Sequence, residues 1–200
     1  MFSNIVEAPG RGFAPDPDAY GSPLQRTITW LSFFTTQSNI LVLVAAVLLA
    51  AQTRPFDSRM ALLRLSRLVG ISITFVVNLV VLRPITADLY SGIWVVTDFL
   101  LHYLTPVMAV GGWLWFEPRP SMRWRTFQGF LIWPSVWLAY TFVRGAMIGW
   151  YPYPFLDAGQ LGYPKALTAT AVVLLVGVAA AAGFVALDRG LAARTLQGAD

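Results

Sequence analysis

Asp98 and His102 stand four residues apart in a stretch that is otherwise hydrocarbon, a spacing that puts a carboxylate and the chain's only histidine on one helical face. A neutral imidazole takes or gives a proton near neutral pH, and a carboxylate beside it holds the ring and stabilises imidazolium once it forms. That is half of a nucleophile, base and orienter arrangement. The missing half is a hydroxyl, and Phe33-Phe34-Thr35-Thr36-Gln37-Ser38-Asn39 offers three. Thr35 and Asn39 share a face, so an amide donor would sit beside a hydroxyl, and either Asn39 or Asn78 could steady an oxyanion. The chemistry such a set allows is acyl transfer or ester hydrolysis. A plainer reading stands beside it. Ser and Thr in membrane helices bond back to the carbonyl four residues earlier, Asn joins helices, and an Asp and His pair can be a buried structural contact.

Composition sets the environment of these residues. Of 200 residues, 56% are hydrophobic and 12% charged, and the mean hydropathy is +0.61. Those values belong to an integral membrane protein. A polar or ionisable group at membrane depth is costly to keep there, so Thr35, Thr36, Ser38, Asn39, Asn78, Asp98, His102 and Arg144 mark a site. With no cysteine, one histidine and no close carboxylate pair, neither a zinc site nor a bis-histidine haem is expected, and no glycine-rich phosphate loop occurs. The site is therefore expected to use no metal and no cofactor. The net charge of +4 comes mostly from arginines beside apolar runs, which fits membrane topology rather than a nucleic-acid partner.

Five segments reach the roughly 20 apolar residues that a bilayer core requires. They run near Thr27 to Ala51, Leu62 to Leu82, Ile93 to Trp115, Thr126 to Gly149 and Lys165 to Leu187. The expected fold is an all-α polytopic transmembrane helix bundle over 24–190, preceded by a polar N-terminal arm over 1–23 and followed by a cytoplasmic tail over 191–200. The arm carries Pro9, Gly10, Pro15, Pro17, Gly21 and Pro23 and lacks the apolar stretch of a signal peptide.

Lys and Arg counts give an orientation. Arg54, Arg59, Arg64, Arg67, Arg119, Arg123, Arg125, Arg189 and Arg194 fall on one side, against Arg11, Arg26, Arg83 and Lys165 on the other. The N-terminus is thus expected outside and the C-terminus in the cytoplasm. At about 1.5 Å of rise per residue, Thr35 would lie roughly 12 Å and His102 roughly 13 Å inside the outer ends of straight helices. Asn78 and Arg144 would lie about 6 to 8 Å below the same face. The polar layer is expected in the outer half of the membrane, with inner halves such as Leu41 to Ala51 and Ala109 to Trp115 nearly free of polar groups. Arg144 is expected to pair with Asp98, Asp157 or a lipid phosphate.

Trp150-Tyr151-Pro152-Tyr153-Pro154-Phe155-Leu156-Asp157 is the other informative segment. Two prolines forbid a helix there while the stretch is highly apolar, so it either folds over the outer mouth and roofs the pocket or anchors at the interface.

Three segments carry a resemblance: Phe34 to Asn39, Asp98 to Pro106, and Trp150 to Asp157. Together they resemble a bacterial family of six-transmembrane membrane proteins. More distantly they are similar to the eukaryotic androgen-induced and androgen-dependent TFPI-regulating proteins, intramembrane threonine hydrolases that cleave fatty acid esters of hydroxy fatty acids. The resemblance implies that Thr35 is the nucleophile and His102 the base, and it matches a Tyr-Pro-Phe-Leu-acid segment to Tyr153 through Asp157. Where that pattern has Asn this chain has Asp98, and a further histidine of the pattern falls on Phe99. It also implies six spans, one more than the sequence offers.

The combined expectation is a hydrolase of membrane-borne fatty acyl esters. Thr35, His102 and Asp98 would be catalytic, and Asn39, Asn78, Ser38, Arg144, Tyr151 and Tyr153 would meet substrate or oxyanion. The alternative is a non-catalytic lipid-binding or transport protein that uses the same pocket.

Overall fold

Ser22 starts the first helix by capping it: its hydroxyl accepts from the Gln25 N–H at 3.4 Å while the Gln25 side chain accepts from the Ser22 N–H at 2.8 Å, with Pro23 as the first helical residue. In a computed structural model, which describes residues 22–51, 57–86, 91–117 and 124–197, the chain forms α1 (Pro23–Ser32), α2 (Phe34–Ala50), α3 (Ser58–Thr86), α4 (Ile93–Phe116) and α5 (Arg125–Ile148), followed by a short α6 (Ala158–Leu161) and a long α7 (Tyr163–Gln197). It is an all-α bundle, and no strand occurs among the described residues. Among the described residues four helices are long and apolar enough to cross a membrane, or five if the bent pair α1 and α2 is counted as one span. Most of the expected arm, 1–21, lies outside the described residues.

The expected first span is not one straight helix. Phe33 leaves helical geometry (φ −70°, ψ 131°) and α1 turns away from α2 by 80°. In an unbroken helix the Leu31 and Ser32 carbonyls would accept from Thr35 and Thr36. Here the Gln37 amide takes Leu31 O at 3.0 Å and the Trp137 indole takes Ser32 O at 2.9 Å, so side chains supply what the break removes. Trp133 secures Gln37 in turn, its indole donating to Oε1 at 3.0 Å. Phe34 stacks on Trp133 with ring centroids 4.7 Å apart. α1 keeps Leu24, Ile28, Trp30 and Leu31 exposed and buries Thr29 and Ser32 against α5.

α3 is capped by Asp57, whose carboxylate accepts from the Arg59 and Met60 N–H groups at 3.0 and 2.9 Å. It is the central helix, with Leu65, Leu68, Val69 and Ile71 fully enclosed. α2 comes close enough to it that a Cβ on Gly70 would stand 2.9 Å from Ser38 Oγ and from the Trp133 ring. Two helices widen into π turns, α3 over Asn78–Leu82 and α4 over Leu100–Leu104. Each widened turn ends two residues before a proline, Pro84 or Pro106. Proline cannot donate to the carbonyl four residues back and its ring crowds that carbonyl, which a register one residue wider relieves.

α5 ends at Gly149, whose φ of 68° is the left-handed cap geometry that glycine adopts without penalty. The segment that follows is buried at Tyr151, Pro152, Tyr153, Pro154 and Leu156, so it packs as a roof against the bundle. Gly145 makes room for it, since a Cβ there would lie 2.2 Å from the Tyr151 ring. Burial, and after it a hydrogen bond with Tyr163, pushes the Tyr151 hydroxyl above its usual range.

α7 runs helical to Gln197, past the Leu187 end and through most of the tail expected over 191–200. Leu41 to Ala51 and Ala109 to Trp115 carry no charged side chain, and the charges at the end of the bundle away from Tyr153 come from flanking positions. Arg64 pairs with Glu117 at 3.0 Å and Asp188 at 2.9 Å, and Arg67 also pairs with Glu117, all of them buried. These charges tie α3 to the end of α4 and to α7, with Arg64 and Arg67 as enclosed partners.

Candidate active site

Thr35 is the second residue of α2, placed there by the break at Phe33, and so sits in a first turn whose N–H groups have no partner within the helix. Its N–H instead donates to the Tyr153 hydroxyl at 3.1 Å. Its Oγ1 lies 3.2 Å from the same hydroxyl and 3.2 Å from His102 Nε2. On the far side of the ring, His102 Nδ1 meets Asp98 Oδ1 at 2.9 Å and the Asp98 carbonyl at 3.2 Å. Asp98 is closed in by Asn78 Nδ2 at 3.5 Å and by Arg83 Nη1 at 3.4 Å.

One set of proton positions satisfies this chain throughout. The Thr35 N–H donates to the Tyr153 oxygen, Tyr153 O–H to Thr35 Oγ1, Thr35 O–H to Nε2, and Nδ1–H to Asp98. The histidine is then the tautomer that accepts a proton from the threonine. Each helix contributes through its irregular part: Thr35 follows the break, His102 lies within the α4 π turn, and Asn78 opens the α3 π turn. Such widened turns redirect side chains that a regular helix would aim elsewhere. Phe33 walls the site with edge-on contacts to Trp150 and Tyr153.

The structure brings Thr35, His102, Asp98, Asn78 and Tyr153 together. Others fall in different places. Asn39 donates to the Thr35 carbonyl at 2.9 Å and the Leu101 carbonyl at 3.3 Å; it ties α2 to α4, and its amide protons are not free for an oxyanion. Asn78 stands behind Asp98 rather than beside Thr35. Ser38 Oγ is buried against Gly70 with no hydrogen-bond partner. Tyr151 packs on Gly145 and Phe142, whereas Tyr153 is the tyrosine that meets Thr35.

Arg144 pairs with neither Asp98 nor Asp157. Its Nη2 donates to Thr29 Oγ1 at 3.0 Å, its guanidinium covers the Trp150 ring at 4.4 Å, and Nη1 is buried without a hydrogen-bond partner. Asp157 caps α6 instead, accepting from the Gln160 N–H at 3.1 Å. Arg83, expected only as a flanking cation, reaches Asp98 because the α3 π turn carries the residue five after Asn78 back toward the same face.

Of two cavities in the bundle, one reaches Thr35. A slot of about 60 Å³ is lined by Thr35, Tyr153 and Leu156 and runs to Ile73, Phe130 and Gly177 between α3, α5 and α7. A cleft of about 910 Å³ lies between α2, α3 and α4, from Asn39 and Thr105 down to Arg67 and Glu117. Leu43, Met108 and Phe116 on its rim are exposed, so it opens sideways along the spans.

No protein-family model, no curated protein and no solved structure matches the chain.

Proposed function

We propose that this membrane protein hydrolyses fatty acyl esters delivered through the bilayer, with Thr35 as nucleophile, His102 as general base and acid and Asp98 as the group that orients the ring. The observation that carries this reading is the continuous line from Thr35 Oγ1 to His102 Nε2 at 3.2 Å and from Nδ1 to Asp98 at 2.9 Å. The resemblance to threonine hydrolases supports the same two residues by motif.

In the first half-reaction Thr35 Oγ1 bonds to the ester carbonyl carbon while its proton passes to Nε2. The resulting oxyanion is met by donors at the α2 N-terminus, the Thr35 N–H and the Tyr153 hydroxyl, once substrate displaces the bonds these two now share. The bond from carbon to the alkoxy oxygen then breaks, and that oxygen leaves with the proton held by His102. Water, deprotonated by His102, attacks the acyl-threonine. The fatty acid departs as Thr35 recovers its proton.

Orientation is read from the Lys and Arg count along the sequence: with Arg64 and Arg67 left out as buried pairs, Arg54, Arg59, Arg119, Arg123, Arg125, Arg189 and Arg194 flank one set of span ends against Arg11, Arg26, Arg83 and Lys165 at the other. The site then faces outward. Ester turnover and fluorophosphonate labelling, measured on wild type, Thr35→Ala and His102→Ala in detergent, test the assignment. Loss of both signals in folded variants is expected, and labelling unchanged in Thr35→Ala sinks the threonine mechanism.

The second reading, lipid binding or transport without chemistry, draws on the orphaned Nη1 of Arg144, a cation poised for an anionic head group. It predicts the reverse pattern: Arg144→Ala abolishes function and Thr35→Ala spares it.

A further inference from the structure

A single non-helical residue, Phe33, joins α1 to α2, yet the two helices stand 80° apart. The angle is built in, because Gln37 and Trp137 take up the carbonyls of Leu31 and Ser32 that the break frees. The 17 residues of α2 cover about 25 Å, most of a hydrocarbon core of roughly 30 Å, so α2 crosses without help from α1. Spanning helices tilt by only about 20° on average. A helix turned 80° from one of them therefore lies closer to the membrane plane than to its normal.

The faces of α1 fit that position. At about 100° per residue, Leu24, Ile28 and Leu31 share an arc of about 60°, and all three are exposed. Thr29 and Ser32, about a quarter-turn away, are buried against α5, where their hydroxyls meet Arg144 and Tyr140 at 3.0 and 2.7 Å. Arg26 lies nearly opposite the apolar arc, and exposed Trp30 falls between the two. A helix resting on a bilayer has this division, with hydrocarbon beneath it, a cation above and an indole at the level where head groups meet acyl chains. The exposed stripe of α2, Ile40, Leu43, Val44 and Val47, starts about two turns past the bend, so lipid-facing surface continues on the next helix.

We propose that α1 is an in-plane membrane anchor whose Leu24, Ile28 and Leu31 arc rests in the acyl hydrocarbon just beneath the head groups of the leaflet nearest Tyr153. The bend then sets the depth of the site. Thr35 is the third residue after Ser32 and the second of α2, so it stands within about one turn, or 5 Å, of the end of α1, in place of the roughly 12 Å of depth that a straight helix would give. For the hydrolase reading, on which this last step alone rests, the water that attacks acyl-threonine comes from the adjacent head-group layer.

The chain has no cysteine, so a nitroxide on Leu24→Cys, Arg26→Cys, Ile28→Cys or Leu31→Cys reports a single position. Collisions with oxygen, which concentrates in hydrocarbon, and with a water-soluble nickel chelate give depth in vesicles of phosphatidylethanolamine and phosphatidylglycerol, with Val47→Cys as the lipid-facing reference. The three apolar positions are expected to favour oxygen at one common, shallow depth, and Arg26→Cys to favour nickel. A difference near 10 Å between Leu24→Cys and Leu31→Cys, seven residues apart, would show an upright half-span and overturn the proposal. Nickel access at all four positions, the mark of a helix lifted into water, would overturn it too. So would labels reached by neither reagent, the mark of a face covered by a second copy of the chain. Depth is read without substrate, so failure of the hydrolase reading leaves each of these outcomes unchanged.

Discussion

Tyr153 touches Thr35 twice, at its N–H and at its hydroxyl, and it holds the threonine proton toward His102 by filling the other side of the oxygen. Tyr153→Phe keeps the ring that packs on Phe33, Trp137 and Phe155 but removes the hydroxyl. Turnover should fall about a hundredfold, the usual effect of losing one oxyanion donor, with little change in KM. An unaltered kcat in the purified variant would remove Tyr153 from the chemistry. At this scale much of the site was open to sequence reasoning. The spacing of Asp98 and His102 on one face follows from helix geometry alone, and their pairing is the kind of contact that desolvation enforces. What Asn39 does was hidden, because an amide in an apolar helix satisfies itself equally well on a ligand or on carbonyls, and only the approach of Leu101 decides between them.

The element that most shapes the site is the roof between α5 and α7, seated on Gly145. Gly145→Ala places a methyl group inside the Tyr151 ring volume, so the roof must lift and carry Tyr153 with it. Lower thermal stability and lower turnover are expected together, although no residue near the reacting atoms has changed. Gly145→Ala with Tyr151→Leu should recover part of both losses, which a double-mutant cycle measures as coupling of about 0.5 to 3 kcal/mol. Additive losses would show that the two residues do not share this contact. The break between α1 and α2 was not legible, since Phe33 is neither proline nor glycine and polar residues such as Ser32, Thr35 and Gln37 also sit within unbroken membrane helices. It depends on Gln37, Trp133 and Trp137, which are distant in sequence or common in membrane helices. The π turns left a better trace, because Pro84 and Pro106 inside apolar runs call for a local change of register.

At the scale of the whole molecule, composition pointed to a helical membrane bundle and the five apolar runs located the starts of its helices to within about a turn, while α7 runs on to Gln197, well past Leu187. The buried charge cluster at the opposite end escaped, because Arg64 and Arg67 beside a polar connection look like surface cations until Glu117 and Asp188 are placed against them. Asp188→Ala strips Arg64 of one of its two carboxylate partners in a site closed to water, and should cost about 3 to 5 kcal/mol. Denaturation in detergent would read that loss, and Arg64→Met added to it should restore part of the stability. Equal stability of wild type and Asp188→Ala would show that the cluster does not hold α3 to α7. On the proposed hydrolase reading, with ester entering sideways from lipid as at the open rim of Leu43, Met108 and Phe116, a kinetic consequence follows. An enzyme fed from within a lipid phase responds to the mole fraction of ester there and not to its molarity in the vessel. Adding inert detergent at constant total ester should therefore slow hydrolysis by surface dilution, as though substrate had been withdrawn.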